Sequence, residues 1–239
     1  QNIQNIYGQT PNVDACGNSA AGDWFSGYIF TSRGWTGSGT YAPVEGTLFY
    51  AVDLYSNDAS QNQAKALYGY VNTWQFDYNA SVGAGESLKD FSDIFKYNIS
   101  GRPTDVSGFN FDIGNWDVGG VTDMTRMFHF TNDFNKPIGG WNVSNVNTMQ
   151  EMFLNAVNFD QSLNDWDVNN VNDMQRMFFA ATSFNQDISG WDVSEVTNMD
   201  GMFFNATSFN QDIGSWNVSG VTAMNFMFQN ATSFNQDIG

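Results

Sequence analysis

Asp165, Asp167 and Asp192 are the residues whose type and spacing come nearest to doing chemistry. Asp167 and Asp192 hold equivalent places in an internal repeat, so in a regular stack they would be like charges about one strand spacing, ~4.8 Å, apart. A hard cation such as Ca²⁺ would relieve that repulsion, with Asp165 as a third ligand. The surrounding sequence is nevertheless not the Gly-Gly-x-Gly-x-Asp calcium nonapeptide. Little else in the chain could react. It has one His and one Cys, and no Ser-His-Asp set, zinc spacing, phosphate loop or Gly-x-Gly-x-x-Gly unit. Paired carboxylates can hydrolyse a glycoside, yet no pair is singled out among the 25 acids. His129 stands where other units carry Leu154, Phe179, Phe204 or Gln229, a variable and peripheral place. Cys16 reads as a buried or inert thiol, with intermolecular pairing as the alternative. The expected activity is therefore non-enzymatic, with calcium as the single candidate ligand ion.

The elements that must position these groups are set by composition and by the repeat. At 239 residues, 41% hydrophobic and 16% aromatic, the chain can bury a substantial core. Its net charge of −17 would repel nucleic acid and anionic membranes, so neither is an expected partner. No run approaches the roughly 20 apolar residues that span a bilayer, so membrane insertion is not expected. No basic-then-apolar leader is visible, and a start at Gln1 fits a mature secreted form.

Trp116, Trp141, Trp166, Trp191 and Trp216 recur every 25 residues, in step with Phe109, Phe134, Phe159, Phe184, Phe209 and Phe234. All 10 methionines fall in the same array, in Met-x-x-Met-Phe runs such as Met124 to Phe128. Each unit reads in two halves. Trp116 and Val118 flank Asp117 with the alternation of a short strand. Met124, Met127, Phe128 and Thr131 follow the i, i+3, i+4, i+7 stripe of a short helix. Thr122, Thr197 and Thr222, with Asn147 and Asn172, stand as its N-caps. Neither half is stable alone, whereas stacked units share one core. The fold expected is an α/β-type repeat solenoid, with one short strand and one short helix per 25-residue unit.

Three segments follow. Residues 109–239 hold five repeats and the start of a sixth. Residues 76–108 read as a degenerate first repeat, in which Phe76 takes the place of the first Phe, Gly83 and Gly85 the strand positions, and Ile99 to Ser107 an insertion. Residues 1–75 carry the aromatic runs DWFSGYIFTS, GTLFYAVDLYS and LYGYVNTWQFDY, which read as a β-rich N-terminal cap or binding domain.

The unit Phe-Asn-Gln-Asp-Ile-x-x-Trp-Asp/Asn-Val-Ser-x-Val-Thr-x-Met-x-x-Met-Phe-x-x-Ala resembles the BspA-type leucine-rich-repeat family of bacterial surface proteins. The resemblance covers Phe109 to Gly239, and more loosely the chain from Phe76. It implies parallel-strand, leucine-rich-repeat-like coils and a cell-surface or secreted protein of adhesive or structural character. Val121 falls where an ordinary leucine-rich repeat places its asparagine ladder, so a straighter or differently twisted coil is expected.

Asp117, Asn142, Asp167, Asp192 and Asn217 lie between the inward Trp and Val and would form a polar strip, extended by Ser144, Ser194 and Ser219. This strip is either a solvated face or a docking surface for another protein, a polysaccharide or ions. Sequons at Asn79, Asn98, Asn142, Asn205, Asn217 and Asn230 would be glycosylated only in a eukaryotic secretory pathway. The leading function is an extracellular or cell-surface structural or adhesive repeat protein, binding other chains and, head to tail, copies of itself in a filament. The alternative is a carbohydrate-binding module presenting Trp24, Trp35 and Trp74, with the loop Arg33 to Tyr41 as its site. Ice binding would need a regular Thr face, which Asn147, Asn172 and Val157 interrupt. The closing phrase FNQDIG opens a unit whose strand and helix do not follow. The expectation is a portion of a longer repeat protein, or an end that docks onto another chain.

Overall fold

The computed structural model describes residues 28–32, 47–57, 60–79, 88–97, 99, 102 and 105–238. From residue 105 onward each 25-residue unit is a coil of turns lying on the next. The expected helix is replaced by a different solution to the same hydrogen-bonding problem. The N–H groups of Met124, Arg126, Phe128 and Phe130 donate to the carbonyls of Thr148, Gln150, Met152 and Leu154 in the following coil, at 2.8–3.1 Å. The intervening Met127, His129 and Thr131 donate back to Met124, Arg126 and Phe128. An α-helix would send every N–H to the residue four earlier. Here alternate donors leave the coil, and single parallel bridges link Asp90, Asp123, Thr148, Asp173, Asn198 and Ala223 in succession.

Left-handed backbone at every fourth residue makes this alternation work. Arg126 and Phe130, Glu151 and Asn155, Arg176 and Ala180, Gly201 and Asn205, and Phe226 and Asn230 all have φ between 52° and 61°. For a non-Gly residue this conformation costs about 1–2 kcal/mol. The cross-coil hydrogen bonds, and the burial of Met and Phe that the four-residue turns bring inward, offset it. The stripe read from the sequence is thus buried as expected, but by turns. The threonines serve the stack as well: Thr197 and Thr222 donate their hydroxyls to the carbonyls of Asn172 and Thr197 in the preceding coil, at 3.1 and 3.0 Å, instead of capping a helix.

The Trp-x-Val half is also not a strand. Trp166 and Val168 point inward and Asp167 outward, but the backbone closes local turns, such as Trp166 N–H to the Leu163 carbonyl at 3.1 Å. The indole makes the cross-coil bond instead. Trp141, Trp166, Trp191 and Trp216 donate Nε1–H to the carbonyls of Ile113, Ile138, Leu163 and Ile188, at 3.0–3.2 Å. Tryptophan suits this place because its large ring fills the core while its Nε1–H, a donor with no acceptor to satisfy, reaches the neighbouring carbonyl. Ring centroids lie 6.4–6.5 Å apart between stacked Trp pairs and 5.4–5.7 Å apart along the Phe128 column.

The recurring Phe-Asn-Gln-Asp phrase forms an asparagine ladder, displaced from the place where Val121 stands. Asn135, Asp160, Asn185, Asn210 and Asn235 each donate backbone N–H to the side-chain oxygen of the residue 25 positions earlier, at 2.9–3.0 Å. Gln161, Gln186, Gln211 and Gln236 reach back to the same oxygens.

The N-terminal part differs from the β-rich expectation. Its described residues contain helices α1 (Leu48–Ser56) and α2 (Gln61–Tyr68), a 3₁₀ turn (Val71–Thr73), and only the two-residue strands β1 (Ile29–Phe30) and β2 (Gln75–Phe76), paired in parallel. GTLFYAVDLYS is aromatic enough for a strand, yet Leu48, Ala51, Val52 and Tyr55 make a helical stripe, and all four are buried. Gly69, at φ 72°, closes α2 by donating to the Lys65 carbonyl.

The degenerate repeat also has a different register. Trp74 stacks on Trp116 at 5.9 Å, and Trp116 donates Nε1–H to the Val71 carbonyl at 2.7 Å. Val71, Trp74 and Phe76 therefore occupy the Ile, Trp and Val places, not Phe76 the first Phe place, and Gly83 and Gly85 lie outside the described residues. Phe91, Asp93 and Phe95 donate to Asp123, Thr125 and Met127, as the regular ladder requires. Extra residues thus enter twice, between Phe76 and Leu88 and between Phe95 and Phe109. The second insertion carries Arg102, which pairs with Asp53 of α1 at 2.7 Å and donates to the carbonyls of Ile94 and Lys96. It pins the cap to the first coil. Phe30, Tyr55 and Tyr68 close over Trp74.

Trp166 tests the stack directly. Trp166→Ala should cost about 3–5 kcal/mol, because it leaves a cavity in the core and removes the cross-coil donor to the Ile138 carbonyl, which then keeps only the Trp141 N–H. Urea denaturation of the full chain measures this. A loss under about 1 kcal/mol would show that the column is not a main support.

Candidate functional surfaces

The polar strip is present and in register. Asp117, Asn142, Asp167, Asp192 and Asn217 are all exposed. Their side chains, however, hold their own backbone. Each Oδ1 accepts the N–H two residues on, from Gly119, Ser144, Asn169, Ser194 and Ser219, at 3.0–3.3 Å. These are Asx turns, for which short polar side chains are favoured. Ser144 and Ser219 add hydroxyl bonds to Asn142 and Asn217 at 2.8 Å. The Ser194 hydroxyl, followed by its backbone N–H, holds the Asp192 carboxyl below the usual carboxylate range. Asn145 and Asn170 donate Nδ2–H to the carbonyls of Gly119 and Ser144, at 2.7 Å, tying adjacent coils along the strip. At the cap end Tyr78 covers Gly120 and donates its hydroxyl to the Asp117 carbonyl. Burial, and then the Asp117 charge, push that phenol upward.

The ligands of the calcium expectation are not gathered into one group. Asp165, Asp167 and Asp192 do not converge, and among the described residues no group of three or more His, Cys, Asp or Glu side chains could hold a metal ion. The carboxylates of Asp167 and Asp192 are turned to their own turns. Of the sequons, Asn79, Asn142, Asn217 and Asn230 are exposed, and Asn205 is half-buried and accepts from Asn230 at 2.9 Å. Trp74, one of the three proposed sugar platforms, is buried in the Trp column. Trp24, Trp35, Asn98, Cys16 and the Arg33 to Tyr41 loop lie outside the described residues.

A charged ladder that the sequence reading passed over lies along the bridge side. Asp93, Arg126, Glu151 and Arg176 occupy the same left-handed position in successive coils, with alternating sign. Arg126 and Asp93 form a bidentate pair at 2.7 and 2.9 Å, Lys96 approaches Asp93 at 3.4 Å, and Arg176 approaches Glu151 at 3.4 Å. Burial opposes ionisation of Asp93, but Arg126 and Lys96 outweigh it and hold the carboxyl below its ordinary range. The Asp93 hydrogen bond in turn raises Arg126. The sequence signal was available: the residue two after the first Met, or its counterpart, runs Asp, Arg, Glu, Arg.

His129 sits within this ladder. Its Nδ1 is buried with no hydrogen-bond partner, and its Nε2 lies 3.6 Å from Glu151, too far for a hydrogen bond. Burial, and then the charges of Lys96 and Arg126, push its pKa down to about 4, with Asp93 opposing. The imidazole is therefore neutral at pH 7, and the contact with Glu151 is not an ion pair there.

The fold and these surfaces define a stacked-coil repeat protein with a helical cap. The chain belongs to the family described as "Mycoplasma protein of unknown function, DUF285", whose profile matches residues 69–182 and again residues 158–239, together more than half of its length. The first match opens two residues before Val71, where the first coil begins. No curated protein and no solved structure matches the chain.

Two outcomes follow from the site geometry. The folded state keeps His129 neutral down to about pH 4, whereas in the unfolded chain it titrates near its ordinary value of 6.5. Stability should be unaffected by this group above pH 6.5 and fall progressively as pH drops toward 4, by roughly 3 kcal/mol at most. His129→Leu, which places the Leu154 side chain type at this position, should flatten the urea-midpoint profile between pH 6.5 and 4.5. An identical slope in the variant would remove His129 as the cause. Millimolar calcium added after chelation should leave the melting temperature unchanged, and a rise would restore a calcium site.

Proposed function

We propose that this is a non-enzymatic structural or adhesive repeat protein of the cell surface or extracellular space, built on leucine-rich-repeat-like coils and acting through contacts with other protein chains. The observation that carries the reading is where the polar side chains of the array go. The Asn ladder, the Trp Nε1 donors and the Asx turns hold coil to coil or turn to turn, which favours a stiff scaffold that offers its flanks. The resemblance of the unit to BspA-type surface repeats points the same way. No helix among the described residues is long and apolar enough to cross a membrane.

Copies of the same chain are among the proposed partners. A head-to-tail contact would have to displace the cap, because Phe30, Tyr55 and Tyr68 already cover Trp74 of the first coil. Self-association is accordingly assigned to the flanks. Polysaccharide binding is the weaker reading, since Trp74 is unavailable to a sugar ring.

Beads coated with the full chain test this proposal. They should adhere above albumin-coated beads to at least one surface among immobilised copies of the chain, fibronectin, laminin and collagen. Albumin-level adhesion to all four, with a strictly monomeric chain in sedimentation at high concentration, would overturn it.

A further inference from the structure

Translational stacking forces the same residue type wherever a side chain serves the stack, as the Trp, Met, Phe and Asn columns show. Several columns vary from coil to coil, and two of them lie together: one runs Arg126, Glu151, Arg176, Gly201, Phe226, and the other His129, Leu154, Phe179, Phe204, Gln229. They interleave on one flank. His129 meets Glu151 at 3.6 Å, and a side chain at Gly201 would touch Arg176, Phe179 and Phe204 at 3.4–3.8 Å.

This flank changes character along the array. Toward the cap its charges pair with one another, and Arg176 is engaged by Glu151 on that side. Beyond Arg176 the rings of Phe179 and Phe204 lie parallel at 4.6 Å, within 1°, and are only half-buried. Rings stacked along the array axis present their edges outward, and aromatic edges carry positive quadrupole charge that suits the face of another ring. Nothing in the repeat requires phenylalanine there, since Leu154 and Gln229 fill the same column. Asp200 precedes Gly201 but is engaged by the N–H and Nδ2–H of Asn225, and after Arg176 the sequence holds six acids and no Lys or Arg.

We infer that the Phe179 and Phe204 patch is the docking surface for an extended protein segment carrying aromatic side chains between lysines or arginines. Ring edges receive the partner's rings, and the acidic far half of the array attracts its cations. This deepens the adhesive reading and rests on it.

The probe is a fluorescein-labelled peptide, Gly-Lys-Phe-Lys-Phe-Lys-Gly, whose phenylalanines share one face when extended. Anisotropy at ~150 mM salt, where long-range attraction is screened, should show binding to the full chain. The double variant Phe179→Gln/Phe204→Gln should weaken it at least tenfold, and a peptide with Ser for Phe should bind equally poorly. Asp192→Asn, on the polar strip, should change it less than twofold. Gln229 makes the Gln exchange compatible with the fold, and an unchanged urea midpoint verifies it. If the midpoint falls, Phe179→Gln alone is used. Equal binding by the variant, or by the Ser peptide, overturns the assignment. Beads separate the two claims: wild-type and double-variant beads adhering equally sink the patch and leave the adhesive reading standing. Wild-type beads that adhere to nothing, while the peptide still binds at the patch, sink the adhesive reading alone.

Discussion

Every alternate backbone N–H in the Met-x-x-Met-Phe segment points out of its own coil, and the structure depends on the next coil supplying a carbonyl for it. A buried N–H left unpaired costs about as much as a lost hydrogen bond. A coil can therefore satisfy its backbone only when another lies on it in strict register. The left-handed residues at every fourth position, such as Arg126 and Phe130, are the local cost of aiming those donors outward. Within the laddered segment the spacing is fixed, because one residue gained or lost there would send each donor to the wrong partner.

Once register is imposed, side chains at equivalent positions meet their own kind. Stacked indoles donate to the Ile and Leu carbonyls of the previous coil, and Asn110, Asn135, Asp160 and their successors each accept a backbone N–H from the next. Like charges are the residues least suited to such columns. The Asp93, Arg126, Glu151, Arg176 position resolves this by alternating sign, so that each charge meets its opposite along the stack. His129 is neutral beside them because its burial, and the cations next to it, disfavour the imidazolium.

The same constraint separates the faces of the array. On the polar strip, Asp192 and its equivalents look available in a list of exposed residues, yet their carboxylates and amides already close turns. The carbonyls of Phe179 and Phe204 serve the backbone ladder, but their rings do not, so side chains at that position are free to differ from coil to coil. Insertions are tolerated only outside the laddered segments, and the one after Phe95 is used to bring Arg102 against Asp53 of the cap.

From the sequence alone, the period and the inward residues were legible. Periodicity of apolar residues reports which side chains are buried, and Trp, Val, Met and Phe are buried as read in every coil but the last described one, where Val218 and Met224 are exposed. It does not report the backbone path. An i, i+3, i+4, i+7 stripe fits an α-helix and also fits consecutive four-residue turns, and the choice rests on donors satisfied by a coil 25 residues away. The first repeat was misregistered for a related reason: mutual spacing located Leu88, Phe91 and Phe95 correctly, but only the stacking of Trp74 on Trp116 placed its other half. Helix α1 lay in an aromatic run whose β propensity the tertiary packing overrode. The asparagine ladder and the charge ladder were both written in the repeat, yet their meaning depends on neighbours one coil apart, which only the stacked structure brings within hydrogen-bonding distance.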